Sequence, residues 1–154
     1  MMQAQGAPTN RIAYIDAQGQ VGLIAPDGQY QQQLSAAAHG FRFPTWSPDG
    51  RALVAIGGAY HESVGLYRLD PRAPTAAPQP LYTSATHRPF YAYWSPDGRF
   101  VSFLTSHPQG LALHLVEAHG QQQWLLTIGS RATGHGPLVA SACWCIRVPT
   151  ASRG

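Results

Sequence analysis

The sequence contains no lysine, and charged residues make up only 11% of it, against about 25% in an average soluble protein. Its ten basic residues are all arginine. Up to residue 130, seven arginines balance seven acidic residues, so the net charge of +3 comes from Arg131, Arg147 and Arg153. Nucleic-acid binding requires a basic stripe along one face of a domain. A neutral body with scattered arginines therefore argues against a nucleic-acid partner.

Cysteine and long apolar stretches are also scarce. The two cysteines, Cys143 and Cys145, have one residue between them, which is too close for a good disulfide and too few ligands for a structural zinc site. No apolar run approaches the ~20 residues of a membrane-spanning helix. Residues 1–10 lack the apolar core of a signal peptide, and we expect them to be disordered. The sequence predicts no membrane span, no bound cofactor and no export signal in this chain.

Apolar residues spaced at the helical period of 3.6 are absent as well. The chain is instead rich in residues that form turns and fill cores. It has 16 glycines, 13 prolines, four tryptophans, seven tyrosines and five phenylalanines. Frequent turns between short apolar segments favour an all-β protein.

A five-residue motif, Trp-Ser-Pro-Asp-Gly, occurs twice with a spacing of 48 residues. The first copy is Trp46, Ser47, Pro48, Asp49 and Gly50, and the second is Trp94, Ser95, Pro96, Asp97 and Gly98. Proline presets the backbone of a tight turn, glycine tolerates a positive φ where the chain leaves it, and the aspartate can accept backbone N–H groups. The tryptophan that ends the incoming strand has the size to pack between neighbouring sheets. We therefore assign these ten residues a structural role as hairpin turns and core.

Each motif lies between the first two strands of a group of four, and a group of three strands precedes them. The predicted strands are 11–16, 21–25 and 30–34 in a first group, 41–46, 51–57, 63–69 and 79–84 in a second, and 90–94, 99–105, 111–117 and 122–127 in a third. The proline-rich stretch between the last two strands of the second group, 71–80, is predicted to be an outer loop. Four strands in about 40–50 residues is the period of a β-propeller blade. A β-sandwich with two similar hairpins is the structural alternative.

The repeated Trp-Ser-Pro-Asp-Gly-Arg followed by an apolar strand resembles the WD-repeat-like blade of the TolB β-propeller family. The resemblance implies a partial propeller of about three four-stranded antiparallel blades over 11–130, with blades at about 11–35, 41–85 and 90–128. It also implies that the intact parent is exported to the periplasm or cell envelope and serves as a platform for protein partners. Related blades occur in the propellers of prolyl-oligopeptidase-type serine peptidases.

The repeat pattern fails after residue 130. A further motif is due near 136–144 and does not occur. The tail 131–154 contains instead both cysteines and all of the unbalanced arginine, with no acidic residue. A shifted reading frame or a disordered tail over 131–154 would explain this change in composition. The alternative is an unusual but genuine last strand from Val139 to Val148.

No catalytic or metal-binding arrangement stands out. The Gly-x-Ser-x-Gly nucleophile motif of serine hydrolases is absent. Among seven histidines, the closest grouping is His114, Glu117 and His119. On a strand, residue 114 points opposite to 117 and 119, so solvated histidines are expected rather than a metal site. Asp49 and Asp97 could be read as paired carboxylates, but the turn-capping role explains both.

These features predict a non-catalytic propeller segment that binds a protein or peptide. The alternative is the propeller of an oligopeptidase-like peptidase whose catalytic domain lies outside this chain. Because three blades leave sheet edges open, self-association through those edges is also expected.

Overall fold

The structure, a computed structural model, describes residues 10–35, 40–58, 63–120 and 122–130. These residues form eleven β-strands. The strands are β1 (Ile12–Ile15), β2 (Val21–Ile24), β3 (Gln31–Gln33), β4 (Arg42–Trp46), β5 (Leu53–Gly57), β6 (Val64–Leu69), β7 (Gln79–Ser84), β8 (Pro89–Trp94), β9 (Phe100–His107), β10 (Gly110–Glu117) and β11 (Gln123–Ser130). None of the described residues forms a helix that could cross a membrane.

The strands form three antiparallel sheets, each made of consecutive strands. The first sheet has the order β1-β2-β3, the second β4-β5-β6-β7 and the third β8-β9-β10-β11. The prediction of an all-β fold with propeller-type blades is confirmed, and each strand lies within a few residues of its predicted position. The predicted tail, 131–154, and most of the N-terminal segment, 1–10, lie outside the described residues.

The predicted strand 79–84 coincides with β7, so the predicted loop 71–80 ends two residues early, at 78, and Pro80 lies in the strand. Pro80 pairs with Tyr67 next to a register shift. β7 is an edge strand of its sheet, where the missing N–H of proline breaks no ladder on the outer side.

The two motif turns have the same internal hydrogen bonds. In the first, the Gly50 amide donates to the Ser47 carbonyl at 2.9 Å, and φ of Gly50 is +67°. The Asp49 carboxylate accepts the Arg51 amide at 3.0 Å and the Ser47 hydroxyl at 2.6 Å. The Ser47 oxygen in turn accepts the Ala52 amide at 2.9 Å. This network ties the end of one strand to the start of the next.

Two apolar layers separate the three sheets. Leu53 and Ala55 of β5 pack with residues of the first sheet, whereas Val54 and Ile56 pack with the third. Successive side chains of a strand point to opposite faces, so every side chain of β5 is buried. The sheets therefore stack face to face in chain order, with the second sheet between the other two.

Candidate functional site

The third sheet has one covered and one uncovered face. Val101 and Phe103 of β9 point into the apolar layer shared with the second sheet. Ser102 and Leu104, which alternate with them, therefore lie on the opposite face. No described sheet covers this opposite face, which makes it the candidate functional surface.

Strand register shows which side chains share the uncovered face. One row crosses all four strands, because each of its residues pairs with the next on the neighbouring strand: Tyr93, Ser102, Leu115 and Trp124. The adjacent row is Tyr91, Leu104, Leu113 and Thr127. Leu111 begins a third row. We call these nine residues the aromatic face.

Most residues of the aromatic face are exposed and none of the nine is charged, while Leu115 is buried. The exposed fractions are 52% for Tyr91, 62% for Tyr93, 44% for Leu111 and 39% for Trp124. Phe100 lies beneath Trp124 in an edge-to-face contact, with ring centres 6.1 Å apart. Contiguous exposed apolar patches on a folded protein mark sites of interaction.

The second sheet shows how the equivalent face is covered inside this molecule. Its Val54, Ile56 and Leu66 have no exposed area, because the third sheet packs on them. Trp94 of β8 inserts there, is 5% exposed, and donates its indole N–H to the Thr45 carbonyl at 3.2 Å. By the 48-residue repeat, Tyr93 on the aromatic face corresponds to Thr45. The aromatic face thus matches a surface that, one sheet earlier, receives another strand.

The predicted histidine grouping is not brought together. His114 points toward the second sheet and stacks on Phe103, with ring centres 4.9 Å apart. Glu117 pairs with Phe100 and lies on the other face, while His119 is exposed in the following turn. Within the described ranges, no three acidic, histidine or cysteine side chains are placed to hold a metal ion.

A different histidine cluster forms instead, from residues distant in sequence. The rings of His87 and His107 stack with centres 5.8 Å apart. His114 Nε2 lies 2.9 Å from the hydroxyl of Thr105, which is fully buried. Burial lowers the pKa of His114, and the nearby His87 and His107 lower it further. Sequence reasoning missed this cluster because it depends on which loops meet at one end of the sheets.

The two motif carboxylates occupy separate turns. The Ser47 hydroxyl, followed by the Arg51 amide, lowers the pKa of Asp49. The Ser95 hydroxyl and the Arg99 amide do the same for Asp97. Hydrogen bonds within each turn therefore hold both groups in the ionised state.

Comparison with known proteins gives a fold but no sequence family. No protein-family model matches the sequence, and no curated protein matches it significantly. Among solved structures, TolB from Acinetobacter baumannii has a TM-score of 0.63 at 16% identity over 79% of this chain. A TolB candidate from Agrobacterium tumefaciens has a TM-score of 0.58 at 14% identity over 75% of the chain. Oligogalacturonate lyase from Vibrio parahaemolyticus has a TM-score of 0.54 at 13% identity over 80%.

These similarities establish that the chain has the fold of a segment of a TolB-like β-propeller, which confirms the fold that the repeat predicted. The matched segment covers 31%, 43% and 37% of the three solved chains, respectively. The same fold occurs in a TolB protein and in a lyase, so the fold alone does not assign a function.

Proposed function

We propose that this chain is a non-catalytic β-propeller segment that acts as a protein-binding scaffold, with the aromatic face as its contact surface. The observation that supports the proposal most directly is the exposure of Tyr91, Tyr93 and Trp124 within one patch of nine uncharged residues. Tyrosine and tryptophan are enriched at protein interfaces because they offer a large apolar area and a polar group that can remain hydrogen-bonded.

The structural use of the acidic side chains supports the non-catalytic part of the proposal. A general acid or base needs a pKa near the working pH. The pKa values of Asp49, Asp70 and Asp97 are instead lowered by hydrogen bonds from neighbouring groups in their own turns. The alternative, a peptidase propeller, stays a prediction, as do the exported parent and self-association through open edges.

Photo-crosslinking from the aromatic face tests the proposal. A photoreactive phenylalanine replaces Tyr93 in cells that make the protein, and a matched control carries it at Thr83, which is exposed on β7. We expect residue 93 to crosslink to a distinct polypeptide that residue 83 does not reach. The crosslinked protein should bind the purified chain, and Trp124→Arg should weaken that binding at least tenfold.

Two results would contradict the proposal. Crosslinking from 93 could yield the same products as crosslinking from 83. Alternatively, the purified partner could bind the Trp124→Arg variant as tightly as the unchanged chain. In either case the aromatic face would not be a specific contact surface.

A further inference from the structure

Three histidines that are distant in sequence meet where the second sheet joins the third. His87 lies in the connection between β7 and β8, which links the two sheets. His107 ends β9, and His114 lies in the middle of β10. The rings of His87 and His107 stack with centres 5.8 Å apart. This histidine cluster therefore combines the segment between the sheets with two strands of the third sheet.

The hydrogen bond of His107 requires a neutral ring. Its Nδ1 accepts the main-chain amide of Gln109 at 3.2 Å. A ring nitrogen that accepts an N–H carries a lone pair, so the proton of the neutral ring lies on Nε2. Protonating the ring places a second N–H on Nδ1, where it faces the Gln109 amide. Two donors then face each other in the turn between β9 and β10, so the bond to Gln109 is lost.

His114 occupies a site that favours a neutral ring. It stacks on Phe103 with ring centres 4.9 Å apart and lies 5.8 Å from the ring of Tyr82, a β7 residue of the second sheet. Its Nε2 is 2.9 Å from the hydroxyl of Thr105, which is fully buried. Burial lowers the pKa of His114, and the other two histidines lower it further. A proton on this ring therefore costs more in the folded chain than in the unfolded chain.

His87 holds the connection between the sheets through its main chain. The Tyr82 hydroxyl donates to the His87 carbonyl at 3.0 Å, and the His87 amide donates to the Ser84 hydroxyl oxygen at 2.9 Å. The His87 Nδ1 lies 3.0 Å from the Thr86 hydroxyl. Because a hydroxyl can donate or accept, that contact survives protonation of the ring. A proton on His87 therefore acts through its charge, by repelling positive charge on the other two rings.

The charged groups around the histidine cluster do not offset positive charge on it. The segments that form it, 81–89 and 103–114, contain Arg88 and no carboxylate. Arg88 donates its Nε to the Ala85 carbonyl at 3.0 Å, which places a further cation in the same connection. Across the sheet, His114 pairs with Phe103 and Leu125, neither of which titrates. The charges that act on His114 are those of the other two histidines.

The described carboxylates of the second and third sheets lie at the other end of the strands. Successive strands are antiparallel, so the β8–β9 turn and the segment after β10 lie opposite to the β9–β10 turn. These carboxylates are Asp49, Asp70, Asp97 and Glu117, while Asp16 and Asp27 belong to turns of the first sheet. Glu62, before β6, lies outside the described residues. Protonation of the histidine cluster therefore brings positive charges together with no described carboxylate of these two sheets at the same end.

We propose that the histidine cluster is a pH-sensitive switch, which fastens the junction of the second and third sheets at neutral pH and opens it at mildly acidic pH. Opening means that the β7–β8 connection and the β9–β10 turn lose their hydrogen bonds while the sheets stay folded. An unperturbed histidine takes up a proton near a pH of about 6.5. Interacting rings take up their protons as a group over a range of pH. The junction therefore responds to the change from neutral to mildly acidic conditions.

This inference does not depend on the proposed function. None of the three histidines belongs to the aromatic face, and His114 points toward the second sheet, on the opposite side. The Trp124→Arg variant, which tests the aromatic face, should therefore keep the pH response of the junction.

Hydrogen exchange with mass spectrometry on the full chain tests the inference. Exchange rates at a pH of about 7.5 and about 5.5 are divided by those of the unfolded chain at the same pH, which removes the direct effect of pH on exchange. We expect the protection of segments 82–92 and 104–113 to fall at least tenfold at the lower pH. The β4–β5 hairpin, 45–54, is the internal control, because it contains no histidine and its Asp49 stays ionised at both pH values. Its protection should change less than threefold.

Nuclear magnetic resonance of the imidazole nitrogens gives a second readout on the unchanged chain. It reports which ring nitrogen of each histidine carries the proton. At a pH of about 7.5 we expect His107 to carry its proton on Nε2, because Nδ1 accepts the Gln109 amide. At a pH of about 5.5 both nitrogens should carry protons, and the Gln109 amide signal should shift with the same midpoint.

Two substitutions of His107 separate its protonation from other effects of acid. His107→Asn keeps an acceptor near the position of Nδ1 but cannot take up a proton, so it should keep most of its protection at the lower pH. His107→Arg has a permanent charge and no acceptor, so its junction should be poorly protected already at neutral pH. The matched control, His119→Asn, changes an exposed histidine at the other end of the strands and should behave as the unchanged chain does.

Any of four results would overturn the inference. The two segments could keep their protection at the lower pH. The 45–54 hairpin could lose as much protection as they do, which would indicate unfolding of the whole chain. His107 could carry its proton on Nδ1 at neutral pH, or His107→Asn could lose as much protection as the unchanged chain. If the variants do not fold, the first three measurements, made on the unchanged chain, still decide.

Discussion

At the scale of single residues, hydrogen bonds inside the turns explain the serine and aspartate of the repeated motif. The Asp97 carboxylate accepts the Ser95 hydroxyl and the Arg99 amide, and the Ser95 oxygen accepts the Phe100 amide at 3.0 Å. Asp27, in the turn after β2, accepts only the Gln29 amide, at 3.0 Å, among the hydrogen bonds of the described residues. The motif turn therefore has more side-chain hydrogen bonds than the Pro-Asp-Gly turn after β2.

Replacing the motif aspartate should therefore destabilise the fold more than replacing the ordinary one. We expect Asp97→Ala to lower the free energy of unfolding by about 1–2 kcal/mol, because two hydrogen bonds are lost. Asp27→Ala should cost less than half as much. Urea unfolding at pH 7 measures both changes. Equal losses for the two variants would show that the serine bond contributes nothing.

The same carboxylates make the stability of the fold depend on pH in the acidic range. The folded pKa of Asp49 and of Asp97 lies below the ordinary value of 3.8. Their contribution to stability is therefore fully present well above pH 3.8 and is lost as the pH falls through the lowered folded pKa. In Asp97→Ala the stability should fall less steeply below pH 4 than in the unchanged chain. An identical slope would contradict this assignment.

His114 should make the stability of the fold depend on pH in a second, less acidic range. Its folded pKa is lowered from 6.5, chiefly by burial, so the folded state favours the neutral ring. Stability should be highest above pH 6.5 and decline as the pH falls below it, since the unfolded chain then binds the proton more readily. His114→Gln should flatten the curve between pH 7.5 and about 5, and His119→Gln, at an exposed position, should not.

At the scale of strands, position within the stack decides how much each one contributes. β5 lies between two apolar layers and is buried throughout, whereas β1 and β8 have exposed side chains. We expect Ile56→Ala to destabilise the protein by about 2–4 kcal/mol, because it leaves a cavity between the second and third sheets. Leu111→Ala, on the aromatic face, should cost less than about 1 kcal/mol. Chemical denaturation measures the free energy of unfolding of both variants. Similar losses for the two would contradict the face-to-face stacking of the sheets.

The sequence predicted the strands well because the signals for them are local. Turn residues and apolar runs placed all eleven strands, and the repeated motif placed Trp94 correctly between sheets. The sequence did not predict that the Trp46 indole would be unpaired while that of Trp94 is bonded. That difference depends on the neighbouring sheet, which no local pattern encodes. The aromatic face was missed for a similar reason, although Tyr91 and Tyr93 alternate in β8 as a signal that could have found it.

At the scale of the whole molecule, the described residues form an open series of sheets. The second sheet is covered on both faces, the third leaves its aromatic face uncovered, and the first leaves the β1 edge unpaired. The two ends differ in chemistry: one presents tyrosine, tryptophan and leucine side chains, and the other main-chain groups and the unpaired donors of Arg11 and Trp46. The exposed side chains of the third sheet are the basis of the scaffold role proposed above.

The most direct test of the account is whether the aromatic face of the full chain is open to solvent. Hydroxyl-radical footprinting with mass spectrometry measures this side chain by side chain. The account predicts fast modification of Tyr91, Tyr93 and Trp124, and slow modification of Trp94 and Tyr67, which are buried. If Tyr93 and Trp124 react as slowly as Trp94, the face is already covered within the chain and cannot be the contact surface proposed for it.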